Sequence, residues 1–159
     1  MKVNLVTAKD IGSFKIALVI SRFNEDITTP LSDGALKRLQ ELEFNPEDVT
    51  VVRVPGAVEI PYVAQQLAKQ KKYKAIVALG AVIRGETSHY DVVCQQVSYG
   101  CQKVSLEHDI PVAFGVLTTD TLNQALERVG GKKGHIARSA IDVAVEMASK
   151  TDVMNNSST

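Results

Sequence analysis

The chain has 159 residues, 45% of them apolar and 23% charged, which describes one globular domain and argues against a disordered chain or a coiled coil. Eighteen Lys and Arg offset eighteen Asp and Glu, so net charge points neither to nucleic acid nor to an anionic membrane, and little repulsion opposes self-association. No apolar run approaches the roughly 18 residues of a membrane helix, and Met1-Lys2-Val3-Asn4 lacks the start of a signal peptide, so the cytoplasm is the expected setting.

Residues 3–6 predict a short extra strand ahead of the polar stretch 7–13. Residues 15–20 are almost continuously apolar, the pattern of a strand buried on both faces. Leu31, Ala35, Leu39 and Leu42 then recur at helical spacing, with Thr29 and Pro30 expected as N-cap and first helical residue. Residues 49–54 alternate weakly, which suits an edge strand. Ile60, Val63, Ala64 and Leu67 mark a second helix, where Pro61 is tolerated in the first turn. Residues 75–80 and 112–117 read as two more buried strands. Between them lies a helix striped by Val93, Val97, Cys101 and Val104. Residues 121–129 and 136–149 predict two last helices, divided by a kink or turn at Gly130-Gly131-Lys132-Lys133-Gly134. The domain is expected to span residues 1–150, with a disordered polar tail at 151–159.

The alternation β-α-β-α-β-α-β-α-α predicts a parallel sheet with helices on both faces and right-handed crossovers. The only cysteines, Cys94 and Cys101, fall on one helix. A rise of about 1.5 Å per residue separates their Cα atoms by roughly 10 Å, beyond disulfide reach. His89, His108 and His135 are scattered, so no metal-ligand cluster is legible.

In an open α/β sheet, ligands bind beyond the carboxyl ends of the strands. Four segments occupy those positions. After the first strand, Phe23 can stack on a planar ligand or cap the edge of the core. After the second, Pro55-Gly56-Ala57-Val58-Glu59 opens a helix whose first amides are free to donate. Glu59 there also complements the helix dipole without any ligand. After the third, Gly85-Glu86-Thr87-Ser88 leads into a helix, and its amides and hydroxyls suit a phosphate. Glu86 opposes this by charge unless its side chain points to solvent, and the spacing is that of neither a Walker nor a dinucleotide loop. His89 follows, either as a proton carrier near neutrality or as a plain surface imidazole. His108 and His135 read as structural. Thr118-Thr119-Asp120 follows the fourth strand. Arg128 near a helix end complements the dipole; reaching His89 would take a second subunit.

Five segments taken together resemble the 6,7-dimethyl-8-ribityllumazine synthase family in order and spacing. They are Arg22-Phe23-Asn24, Val54-Pro55-Gly56-Ala57-Val58-Glu59-Ile60-Pro61, Leu79-Gly80-Ala81-Val82-Ile83-Arg84-Gly85-Glu86-Thr87-Ser88-His89-Tyr90, Phe114-Gly115-Val116-Leu117-Thr118-Thr119 and Ala125-Leu126-Glu127-Arg128. The resemblance runs over residues 14–149. It implies a three-layer α-β-α sandwich around a four-stranded parallel, flavodoxin-like sheet. It also implies condensation of 5-amino-6-(D-ribitylamino)uracil with 3,4-dihydroxy-2-butanone 4-phosphate, with no cofactor and no metal. On this basis Phe23, beside Asn24, stacks on the pyrimidine, and Ala57, Val58 and Glu59 hold the ribityl chain. Ala81, Val82 and Ile83 line the heterocycle. Gly85, Glu86 and Thr87 cradle the phosphate, and His89 shuttles protons. Phe114 and Arg128 come from a neighbouring subunit, Arg128 pairing with the phosphate.

The chain departs from the pattern at one place. Ile136 stands where many members carry a second Lys after the Gly-Lys turn, leaving Lys132 or His135 as possible replacements. The resemblance further implies a homopentamer, and the short turn between the last helices favours a sixty-subunit icosahedral shell. Riboflavin synthase is a candidate partner; nucleic acid and membrane are not. The rival within the same fold is a flavin- or lumazine-binding protein without catalysis. A receiver-type module would need an acidic cluster after the first strand, where this chain has Ser21-Arg22-Phe23-Asn24.

Overall fold

A computed structural model describes residues 14–156, so the strand expected at residues 3–6 and the last three tail residues lie outside it. Four strands, β1 (Ile16–Ser21), β2 (Val49–Val54), β3 (Ala75–Ile83) and β4 (Val112–Thr119), pair in parallel in the order β2-β1-β3-β4. The intervening helices are α1 (Glu25–Glu41), α2 (Ile60–Lys69), α3 (His89–His108) and α4 (Leu122–Leu126). A small hairpin, β5 (Val129–Gly131) and β6 (Gly134–His135), precedes α5 (Ile136–Asn156).

Side chains alternate between the two faces of a strand. Ile16, Leu18, Ile20, Val77 and Leu79 therefore point to one side, where they meet α1 and α5. Ala17, Val19, Ile76 and Ala78 point to the other, where they meet α2 and α3. All nine are fully buried. Continuous apolar runs in β1 and β3 thus feed two cores at once, which produces the expected three-layer sandwich. The weakly alternating β2 lies at an edge, as its pattern required.

Three expectations about boundaries need correction. α1 does not start at Thr29-Pro30: Asn24 caps it and Pro30 lies inside it. The apolar stripe extends back one turn to Ile27, and burying that side chain completely offsets the hydrogen bond that proline cannot make. The helix expected over 121–129 is shorter: α4 ends at Leu126, and the turn expected after it is a hairpin, with Val129 paired to His135 and with Gly130 (φ 106°) and Gly134 (φ 80°) in backbone regions open to glycine. Finally, residues 151–156 are helical rather than disordered. Lys74 reaches Asp152 at 2.8 Å, and the Thr151 hydroxyl donates to the Met147 carbonyl at 2.8 Å, so α5 continues to Asn156.

Cys94 and Cys101 are free thiols on α3, and burial pushes that of Cys101 up to about 12. Leu79 sits at the centre of β3, and its Cδ2 would lie 2.6 Å from a Cβ added to Gly115 of β4. Leu79 therefore fills the hollow that this glycine leaves. Leu79→Ala should lower the unfolding free energy by about 2–5 kcal/mol in chemical denaturation. A loss below about 1 kcal/mol would contradict the packing.

Candidate active site

The carboxyl ends of the strands form one rim, and local hydrogen bonds set each segment on it. Past β1, the Arg22 amide donates to the Val54 carbonyl (2.8 Å) and the Phe23 amide to the Pro55 carbonyl (3.0 Å). The chain then turns sharply at Asn24, whose left-handed backbone (φ 66°, ψ 59°) is one that Asn tolerates better than most residues. Its carbonyl accepts from the Ile27 and Thr28 amides, and its Nδ2 donates to the Ala81 carbonyl at 3.0 Å. The tie joins the β1 loop to β3 and leaves the Phe23 ring 71% exposed over the cleft. Below it, Ser21 Oγ would lie 2.6 Å from a Cβ at Gly80, so a glycine there lets β1 and β3 close up.

Past β2, Gly56 leads into a 3-10 turn, Ala57–Glu59, that runs directly into α2. The Glu59 carboxylate folds back over Gly56, with Oε1 3.5 Å from where a Cβ would stand. Past β3, the Arg84 amide donates to the Thr119 carbonyl at 2.9 Å, extending the pairing with β4. Residues 85–88 are exposed, and the space beside Gly85 is open. The Thr87 hydroxyl accepts from the His89 amide, the first of α3, at 3.2 Å.

The Arg84 side chain braces this loop. Its Nε donates to Asp120 at 2.8 Å, its Nη2 lies 3.6 Å from Asp91, and its guanidinium stacks 4.3 Å from the Tyr90 ring centre. Asp120 foremost raises the Arg84 pKa above its usual value, so the cation is permanent. Burial, then the Cys94 thiol, push the Tyr90 phenol above its ordinary value.

These segments enclose a cleft of ≈ 380 Å³. Phe23, Asn24, Ala57, Val58, Ala81, Val82, Ile83, Gly85, Thr87 and His89 all line it. A wider hollow of ≈ 630 Å³ lies at the other end of β4, against the end of α5, and gathers none of these residues. Among the described residues, no group of three or more His, Cys, Asp or Glu side chains could hold a metal ion, and no helix is long and apolar enough to cross a membrane.

Residues 13–152 match the 6,7-dimethyl-8-ribityllumazine synthase family. Over 136 residues the chain is 56% identical to a protein named 6,7-dimethyl-8-ribityllumazine synthase from Coxiella burnetii (strain Dugway 5J108-111), covering 86% of this chain and 90% of that one. A relative of the same name from Kosmotoga olearia (strain ATCC BAA-1733 / DSM 21960 / TBF 19.5.1) is 53% identical over 134 residues, covering 84% and 86%. The chain belongs to the 6,7-dimethyl-8-ribityllumazine synthase family.

Glu59 and Glu86, expected at this site, do not line the cleft, and Phe114 and Arg128, expected to serve a neighbouring subunit's site, lie away from their own chain's cleft. Glu86 is exposed, in keeping with a side chain turned to solvent. Phe114 lies in the middle of edge strand β4 and is 41% exposed. Arg128 is tied to its own helix, with Nη1 donating to the Gln124 carbonyl at 2.7 Å. Neither Lys132 nor His135 lines the cleft; the His135 ring is turned onto Gly34 of α1. Sequence reasoning missed Gly56, Tyr90 and Val93, which do line it. Val93 was within reach, since it lies one helical turn after His89.

Asn24 combines a strained backbone with the tie to Ala81, so Asn24→Ala should cost about 1–3 kcal/mol of stability. Asn24→Gly, which relieves the backbone, should cost less. Equal urea midpoints for the two variants would show that the left-handed turn is not held as described.

Proposed function

We propose that this chain is a transferase of riboflavin biosynthesis that condenses 5-amino-6-(D-ribitylamino)uracil with 3,4-dihydroxy-2-butanone 4-phosphate to 6,7-dimethyl-8-ribityllumazine, phosphate and water. The observation that carries the reading is the convergence of an exposed aromatic ring, Phe23, and an imidazole, His89, on one cleft in a chain of this family.

The pyrimidine stacks on Phe23 beside Asn24 and meets the Ala81-Val82-Ile83 backbone. The ribityl chain lies along Ala57 and Val58, with Glu59 accepting from its hydroxyls. The phosphate sits on the Gly85-Glu86-Thr87 loop, where the amides before a helix favour an anion. Arg84 is already engaged by Asp120 and Asp91, so it is not the free cation that this phosphate needs. Arg128 of a neighbouring copy, engaged on its own chain by the Gln124 carbonyl and by Glu127 at 3.8 Å, exchanges those partners for the phosphate, which it can hold bidentately. Phe114 of a neighbouring copy closes the ring side.

The aryl amine attacks the ketone, and loss of water from the carbinolamine gives an imine. Removal of the proton on the hydroxyl-bearing carbon forms a C=C bond and expels phosphate with the C–O bond electrons. The resulting enol becomes a ketone, and the ribitylamino nitrogen attacks that carbonyl and closes the ring with loss of a second water. His89 at the mouth of the cleft takes up and returns the protons of these steps. Holding two substrates in register supplies the larger share of catalysis, up to roughly 7–11 kcal/mol.

A shared site requires assembly. The reading is a homopentamer, closed further into a sixty-subunit shell because the β5–β6 hairpin carries no insertion. Five chains of 17.2 kDa make about 86 kDa. In analytical ultracentrifugation a species of about 86 kDa would exclude the shell, and one near 17.2 kDa would exclude both assemblies.

His89→Ala should lower kcat by about 10²–10⁴-fold, followed as lumazine absorbance, with the KM of each substrate nearly unchanged. A fall to the uncatalysed rate with both substrates still bound would mean that proton transfer, not positioning, dominates. Equal turnover by wild type and a protein-free control would refute the enzyme reading.

A further inference from the structure

Arg128 can serve a phosphate on another copy only if its own chain holds it still. It follows the short helix α4 directly and precedes a hairpin whose turn, residues 131–134, is exposed. Its backbone is clamped from the far side of that hairpin. The Ile136 amide donates to the Arg128 carbonyl at 3.0 Å, the Lys133 amide donates to the Glu127 carbonyl at 2.8 Å, and Val129 pairs with His135. The placement of Arg128 therefore depends on what anchors residues 135 and 136.

Val129 and Ile136 pack against the core on the α1 and α5 side, and a further anchor lies on α1 itself. A Cβ added to Gly34 would lie 2.2 Å from both Cε1 and Nε2 of His135, so the ring occupies the volume that any side chain at position 34 would need. A glycine in the middle of a helix disfavours the helix. The His135 Nδ1 is buried without a partner, which is unfavourable too. Two locally costly choices meet in one contact that joins α1 to the hairpin. Burial first, then the nearby Arg138, lower the imidazole pKa, while the Pro30 carbonyl opposes them. Packed onto Gly34 and outside the cleft, the ring is not placed to meet a phosphate bound there.

We propose that His135 is a positioning residue: its imidazole, seated on Gly34, locks the β5–β6 hairpin to α1 and thereby fixes where Arg128 is presented. This rests on the assignment of Arg128 to the phosphate of a neighbouring site.

The test uses the full assembled chain with His135→Ala, Gly34→Ala, the double variant, and each of these combined with Arg128→Ala. KM for each substrate, kcat and Tm are measured. His135→Ala should raise the KM of the phosphate-bearing substrate by about 3- to 30-fold and leave that of the pyrimidine unchanged. Gly34→Ala should do the same, because its methyl displaces the ring. In the double variant the methyl enters space the ring has vacated and alanine favours the helix. That variant should regain Tm yet keep the raised KM. With Arg128→Ala present, none of these changes should add to the KM.

If the double variant recovers KM together with Tm, His135 is merely structural and the inference falls. It falls equally if His135→Ala still raises KM in the absence of Arg128. If Arg128→Ala alone leaves the KM of the phosphate-bearing substrate unchanged, the assignment of Arg128 fails instead, and with it the premise.

Discussion

The two central strands present no face to water. β1 and β3 are apolar on both sides and are covered by α1 and α5 on one side and by α2 and α3 on the other. Burying a polar group there without a partner is costly, so hydrogen-bonding side chains are driven to the strand ends. At the carboxyl ends, three turns carry Phe23 and Asn24, Gly56 to Val58, and Gly85 and Thr87 around one opening, and Asp120 after β4 is tied to the third through Arg84. The cleft is a consequence of the sandwich, as in other open parallel sheets.

The rim is held by a few specific ties rather than by depth of burial. Asn24 bonds to the Ala81 carbonyl across 57 residues of sequence, and Arg84 bridges the β3 loop to Asp120 after β4. Exposed ion pairs contribute little to global stability. Arg84 matters instead by geometry: hydrogen-bonded to Asp120, near Asp91 and stacked on Tyr90, it fixes the loop that precedes His89. With that charge engaged locally, the loop offers amides and a hydroxyl but no free guanidinium of its own. This is the electrostatic reason for looking to a neighbouring copy for Arg128.

The far end of the chain shows a similar economy. α5 packs beneath β3 and β4 through Ala137, Ala140 and Ala144, small residues that let helix and sheet approach closely, with the larger Ile141 fully buried among them. Its first residue, Ile136, packs against that core instead of reaching toward a ligand. The residue before it reaches across to α1. Ile136 and His135 thus tie the hairpin down by two packing contacts.

Periodicity and punctuation are local, and what depends on them was legible in advance. These include the four parallel strands, the edge position of β2, the stripes of α1 to α3, and the rim segments with His89 and Phe23. Pro30 misled because a local rule yielded to the burial of Ile27, a tertiary effect. The hairpin at Gly130 and Gly134 was hidden because positive φ permits several turns, and the choice among them is made by pairing Val129 with His135. The last turns of α5 bring Asp152 to Lys74, which lies 78 residues away. The seat of His135 on Gly34 likewise exists only once α1 and the hairpin are packed together. Contacts between residues far apart in the chain leave no periodic trace, so the folded arrangement alone could determine them.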